Sequence, residues 1–122
     1  NIAFYAPLKG LISDSFNIQN EHFGVDVLAE ENQAIKASLG GTVVFSDWTS
    51  ETGYSIAVQH DNNLISFYKH NSVLLKKTGE LVKAGDVIAI IGNSGEFSSG
   101  PHLHFEMWHK GKAIDPEHHI LF

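Results

Sequence analysis

His102-Leu103-His104-Phe105-Glu106-Met107 alternates polar and apolar side chains without a break. Successive side chains on an extended strand point to opposite faces, so His102, His104 and Glu106 share one face and Leu103, Phe105 and Met107 the other. One face is written for a core and the other for chemistry. Gly95, Gly100 and Pro101 lead into this stretch, which places a shaped loop directly before a strand start.

The same punctuation recurs along the chain. Lys9-Gly10, Gly40-Gly41, Thr52-Gly53, Asp61-Asn62-Asn63, Gly79, Ala84-Gly85-Asp86 and Lys110-Gly111 all read as turns. Between them, Thr42 to Ser46, Ser55 to His60, Leu64 to Lys69, Asp86 to Ile91 and Leu103 to Met107 are short, alternating or rich in branched and aromatic residues. The prediction is an all-β chain, a mainly antiparallel sheet with little helix. Helix is expected only as a turn near Asn71 to Leu74 and another after Pro116, where proline can open a first turn.

The 122 residues with 43% hydrophobic content suffice for one core. Fourteen acidic against eight basic side chains leave a net charge of −6, the wrong sign for a phosphate backbone, so nucleic acid is excluded as a partner. With no cysteine, a metal would have to be held by histidine and carboxylate. No stretch approaches the ~20 apolar residues that span a bilayer. Asn1 to Pro7 lack the basic and apolar blocks of a signal peptide, and the chain reads as a domain excised from a longer protein.

His22-Phe23-Gly24-Val25-Asp26 is the second polar group. On a straight strand the Cα atoms of His22 and Asp26 would lie about 13 Å apart. Zinc bonds of about 2.0–2.2 Å require ligand atoms within roughly 3.5 Å of one another, so a shared ion demands a bend, for which Gly24 is suited. Taken alone, the pair also fits an ordinary surface histidine and aspartate. His70 follows the alternating Ile65-Ser66-Phe67-Tyr68-Lys69 and is expected at or just past a strand end. His60, ahead of a polar turn, reads as surface or turn structure, and His109, His118 and His119 as incidental.

The order H-x-G-x-D, then one histidine after an aromatic strand, then Gly100-Pro101-His102-Leu103-His104-Phe105-Glu106 resembles the lysostaphin-type (LytM-type, beta-lytic) zinc metallo-endopeptidases. Gly41-Thr42-Val43, Tyr68-Lys69-His70-Asn71-Ser72 and Val82-Lys83-Ala84-Gly85-Asp86 carry the same likeness, which extends from Pro7 to Pro116. One departure is Phe16-Asn17-Ile18-Gln19, where relatives often have Phe-Gly-x-Arg, so the resemblance does not carry over that arginine at the substrate end of the groove.

The resemblance implies residues 1–122 as a single peptidase domain from a bacterial envelope protein, periplasmic or extracellular, whose membrane anchor or coiled-coil segment would lie outside this chain. It implies a grooved fold related to the biotinyl/lipoyl hybrid motif. One Zn²⁺ would be held by His22, Asp26 and His104, with His70 and His102 catalytic, and the substrate would be a peptidoglycan peptide cross-link or bridge. Which of His70 and His102 is the general base stays open, as does the choice among D-alanyl, diamino-acid and glycine-containing bonds. The loops Asp47 to Gly53, Asn71 to Gly79 and Asn93 to Ser99 are expected to wall the groove. Two other readings compete: a non-catalytic binding or regulatory module of the same fold, and a biotinyl/lipoyl-type carrier. The carrier reading lacks a modifiable lysine at a hairpin tip.

Overall fold

The computed structural model describes residues 3–92 and 100–122. Among them the chain forms β1 (Ile12–Asp14), β2 (Val25–Leu28), β3 (Ala34–Lys36), β4 (Gly41–Thr49), β5 (Gly53–Gln59), β6 (Leu64–Leu74), β7 (Leu81–Val82), β8 (Val87–Ile91), β9 (His102–His109) and β10 (Lys112–Ile114). All pairings are antiparallel, in the order β1-β2-β9-β6-β5-β4-β7. β10 extends the edge of β9 beyond β2, and β3–β8 join the far half of β6. The all-β expectation holds, and the turn after Pro116 is a short 3-10 helix, Pro116–His118, capped by the Asp115 side chain on the Glu117 N–H. Asn71 to Leu74 is not helical: β6 continues through it, because Asn71, Val73 and Leu74 pair with Ile91, Ile90 and Ala89 of β8. Of the expected groove walls, Asn93 to Ser99 lies outside the described residues.

The alternation in β9 sorts as written. Leu103, Phe105 and Met107 are fully buried, and with Val25 and Val27 of β2, Ile56 and Val58 of β5 and Tyr68 of β6 they form one cluster that also takes in Ile35, Ile88 and Ile91. Each such side chain contributes about 1.5–3 kcal/mol by leaving water. The opposite face of β2, β9 and β6 carries Asp26, His102, His104, Glu106 and Lys69, because directly paired residues share a face and Asp26 stands opposite His104, which stands opposite Lys69.

Gly24 lies at the bend ahead of β2, but its backbone is not left-handed. What demands glycine there is closeness: a Cβ would press into the Phe105 carbonyl oxygen and sit 2.7 Å from Glu106 Cγ. Gly24→Ala should therefore lower stability by about 1–3 kcal/mol, the usual cost of overpacking, measurable as a fall in Tm, and should loosen the His22–Asp26 approach. An unchanged Tm would mean that β2 can move away from β9 freely.

His60 departs from the surface reading. It is only 6% exposed, because a polar chain crosses the core face. Nδ1–H donates to the Gly40 carbonyl (2.7 Å), the Ser66 hydroxyl donates to His60 Nε2 (2.7 Å), the Tyr68 hydroxyl donates to Ser66 Oγ (2.7 Å), and the Ser38 N–H donates to Tyr68 Oη (2.9 Å). Burial lowers the His60 pKa below its ordinary value, against the opposing pull of the Gly40 carbonyl and Asp61. The neutral ring is thus favoured in the folded state. Its contribution is complete above the unfolded pKa of about 6.5 and is lost as pH falls from there through the folded value, because only the unfolded chain takes up the proton in that window. The unfolding free energy of the native protein minus that of His60→Gln, from urea titrations, should therefore shrink on acidification below about pH 6.5, by at most about 1.4 kcal/mol per pH unit; a constant difference would contradict this assignment.

Candidate metal centre

The donors come together through three local devices. Asp26 and His104 are direct cross-strand partners, and His104 Nδ1 lies 2.7 Å from Asp26 Oδ1. His22 precedes β2 and is held by a two-bond bridge with Asn17, each N–H donating to the other's carbonyl at 2.9 Å. Asn17 also caps the 3-10 turn Ile18–Asn20, its Oδ1 accepting from the Asn20 N–H at 3.2 Å. The residues that depart from Phe-Gly-x-Arg thus build the support of His22. Its Nδ1–H donates to the Ser15 carbonyl (2.8 Å), which leaves Nε2 facing Asp26 Oδ2 at 3.4 Å.

One ligand atom from each of His22, Asp26 and His104 lies within 4.8 Å of the others. All three side chains are partly buried. Two imidazole nitrogens and a carboxylate oxygen, with tautomers set by acceptors on the far side of each ring, fit a borderline divalent cation with a further open position.

His102 and His70 flank this group. Their rings are 4.8 Å apart between centroids, with His70 6.2 Å from His104, and both side chains are buried. His102 Nδ1–H donates to the Gly100 carbonyl at 2.7 Å, leaving Nε2 as the basic atom. His70 is not past the end of its strand. It lies inside β6, where Ile56 pairs with Tyr68 but Tyr54 with Asn71, so β6 carries an extra residue. Alternation alone would send His70 to the core face with Ser66 and Tyr68. The bulge, with His70 at φ 71°, turns it to the groove face instead.

Electrostatically the centre is a run of alternating charge. Burial alone would raise the Asp26 pKa, but the hydrogen bond from His104 and the charges of His104, His22 and His102 lower it overall. Burial would lower His104, yet hydrogen bonds to Asp26 and Glu106 raise it. Glu106, resisting burial, is held at about 2 by the hydrogen bond from His104 Nε2 (2.7 Å), the Lys69 ammonium (3.1 Å) and the Trp108 indole N–H (2.8 Å). In the sequence, the signal for Glu106 was its even-numbered step from His104, which puts it on the face of the two histidines. Tyr68 is a core residue, while Tyr54 is half-exposed.

A cleft of about 490 Å³ bounded by Ser13, Leu28, Pro101 and His102 opens on the β1 side of the donors. Another of about 370 Å³, bounded by Phe45, Thr52, Phe67 and Lys69, opens on the β5 side. Asp26 lines the first of these clefts and Lys69, opposite His104 across the β6–β9 pairing, lines the second, so the two flank the donors along one groove face.

The sequence profile of peptidase family M23 matches residues 20–116. The chain is 34% identical to the murein hydrolase activator NlpD of Escherichia coli over 90% of its own length and 29% of that protein's. It therefore spans under a third of this curated relative. Its fold superposes on a zinc-containing peptidase from Vibrio cholerae with a TM-score of 0.85 and 27% identity, covering 93% of this chain and 39% of that one. The catalytic domain of the antimicrobial peptidase lysostaphin from Staphylococcus simulans gives a TM-score of 0.74 and 29% identity, with 93% and 86% covered. With a profile matched over most of its length, an antiparallel fold shared with these peptidases and a His-Asp-His group in the groove, the chain belongs to peptidase family M23.

Proposed function

We propose that this domain is a zinc-dependent endopeptidase that hydrolyses peptide cross-links or bridges of peptidoglycan in the bacterial cell envelope. The observation that carries the proposal is the convergence of His22, Asp26 and His104 to within 4.8 Å beside a second, buried pair of imidazoles. In this reading His22 Nε2, an Asp26 carboxylate oxygen and His104 Nδ1 hold one zinc ion. When bound, the ion supplies Lewis acidity toward water and a peptide carbonyl near neutral pH. His102 Nε2, its ring held by the Gly100 carbonyl, takes or passes on a proton, and His70 donates toward the developing oxyanion or the departing amine, or the two exchange these parts. The groove seats an extended peptide across the donors.

A second reading rests on the name of the relative NlpD: the domain would regulate a murein hydrolase rather than cut. One experiment separates the two. Zinc content and amine release from purified peptidoglycan are measured for the protein alone and with a murein hydrolase present. Stoichiometric zinc with amine release by the protein alone supports the peptidase. No release alone, with faster release by the added hydrolase, replaces it with the regulator.

A further inference from the structure

Three hydrogen-bond donors from two strands meet on one carboxylate. Lys69 stands directly opposite His104 across the β6–β9 pairing, Phe67 opposite Glu106 and Ile65 opposite Trp108. Glu106 Oε2 accepts from His104 Nε2 at 2.7 Å and from Lys69 Nζ at 3.1 Å, while Oε1 accepts from Trp108 Nε1 at 2.8 Å. A lysine ammonium and an indole N–H can only donate, so Glu106 can face them only as an acceptor on both oxygens. The nitrogen that His104 turns to Glu106 must then carry hydrogen; Nδ1 donates to Asp26 Oδ1 at 2.7 Å in the absence of an ion, and with Nε2–H held by Glu106 it is Nδ1 that would give up its proton to free the lone pair a metal needs.

The two outer donors also reach the neighbouring parts of the site. The Trp108 ring lies 6.0 Å from Phe23, next in sequence to His22. Lys69 immediately precedes His70 and its ammonium also lies over the Phe67 ring at 5.7 Å. The Lys69–Glu106 pair is buried enough to be shielded, with side chains 22% and 11% exposed, unlike a solvated surface ion pair.

We propose that Lys69 and Trp108 are positioning residues for His104, acting through Glu106: together they hold the carboxylate as a double acceptor, which sets the tautomer and ring orientation of a metal ligand they do not touch. This rests on the zinc reading above. Partners at this distance typically tune metal affinity about 10- to 100-fold.

The test is zinc affinity by competition with a chromogenic chelator, together with the visible spectrum of the Co²⁺-substituted protein, both read without turnover. Lys69→Met and Trp108→Phe should each weaken zinc about 10-fold and change the Co²⁺ ligand-field bands, and the double variant should approach about 100-fold. Lys69→Arg, which restores a cationic donor, should return affinity to within about 3-fold of wild type. Lys83→Met, remote and exposed, should change nothing. If Lys69→Met does not fold by circular dichroism, Lys69→Gln carries the same comparison. Folded variants with wild-type affinity and an unaltered Co²⁺ spectrum overturn the proposal while leaving the peptidase reading intact. Wild-type protein that binds zinc and releases no amine removes the peptidase reading, yet the affinity ranking still decides this one. Wild-type protein that binds no zinc overturns both.

Discussion

Replacing His104 by alanine should weaken zinc binding about 100- to 1000-fold and take amine release from peptidoglycan to background. The magnitude follows from sharing roughly 10 kcal/mol of site affinity among three protein ligands, about 3 kcal/mol each, at 1.4 kcal/mol per tenfold. His104 is the residue on which the loss should be greatest, because its Nδ1 faces Asp26 and its Nε2 faces Glu106. Removing the ring also leaves two partly buried carboxylates without their shared donor. The hydrophobic face of β9 is untouched, since Leu103, Phe105 and Met107 point the other way, so the far-ultraviolet circular dichroism should be preserved. The measurements are metal analysis after dialysis and amine release per mole of folded protein. A His104→Ala protein that retains one tightly bound zinc would sink the ligand assignment.

His102→Ala and His70→Asn should behave differently from His104→Ala: turnover falls about 100- to 1000-fold, the range for losing one proton-transfer or oxyanion group, while zinc content is kept. For His70 the substitution has to respect the backbone. At φ 71° most side chains are strained, but asparagine enters this region readily, so His70→Asn removes the imidazole and leaves the bulge able to form. Its stability should stay within about 1 kcal/mol of wild type, whereas a β-branched residue there should destabilise by about 1–3 kcal/mol. Urea unfolding and kcat on a defined muropeptide check both halves. Full activity in His70→Asn would place this ring outside the chemistry, and loss of zinc in either variant would move that residue into the ligand set.

Much of the site was legible because a strand has a strict period. The polar set His102, His104 and Glu106 separates from Leu103, Phe105 and Met107 by alternation alone, and the structure keeps that division from His102 to Met107 of β9. The convergence of His22, Asp26 and His104 was legible only as a family order of motifs; what local reading contributed was that Gly24 must serve a bend. The reason for glycine proved to be the nearness of the Phe105 carbonyl, a contact with a residue 81 positions later that no local rule anticipates.

The misreadings share one cause. Asn71 to Leu74 looked like a turn because the partner that makes it a strand, β8, is supplied by tertiary pairing. His60 looked exposed beside Asp61-Asn62-Asn63, yet it ends a hydrogen-bonded chain through Ser66 and Tyr68 that exists only once β5 and β6 are side by side.

By itself, then, the sequence determined the all-β class, the two-faced character of β9 and the residue types available to a metal, because side-chain alternation and the absence of cysteine are local facts. Tertiary structure alone decided which side His70 faces, which nitrogen each imidazole turns inward and which donors hold Glu106. Each of those depends on register between strands distant in sequence, and a one-residue bulge is enough to carry a side chain from the core to the groove.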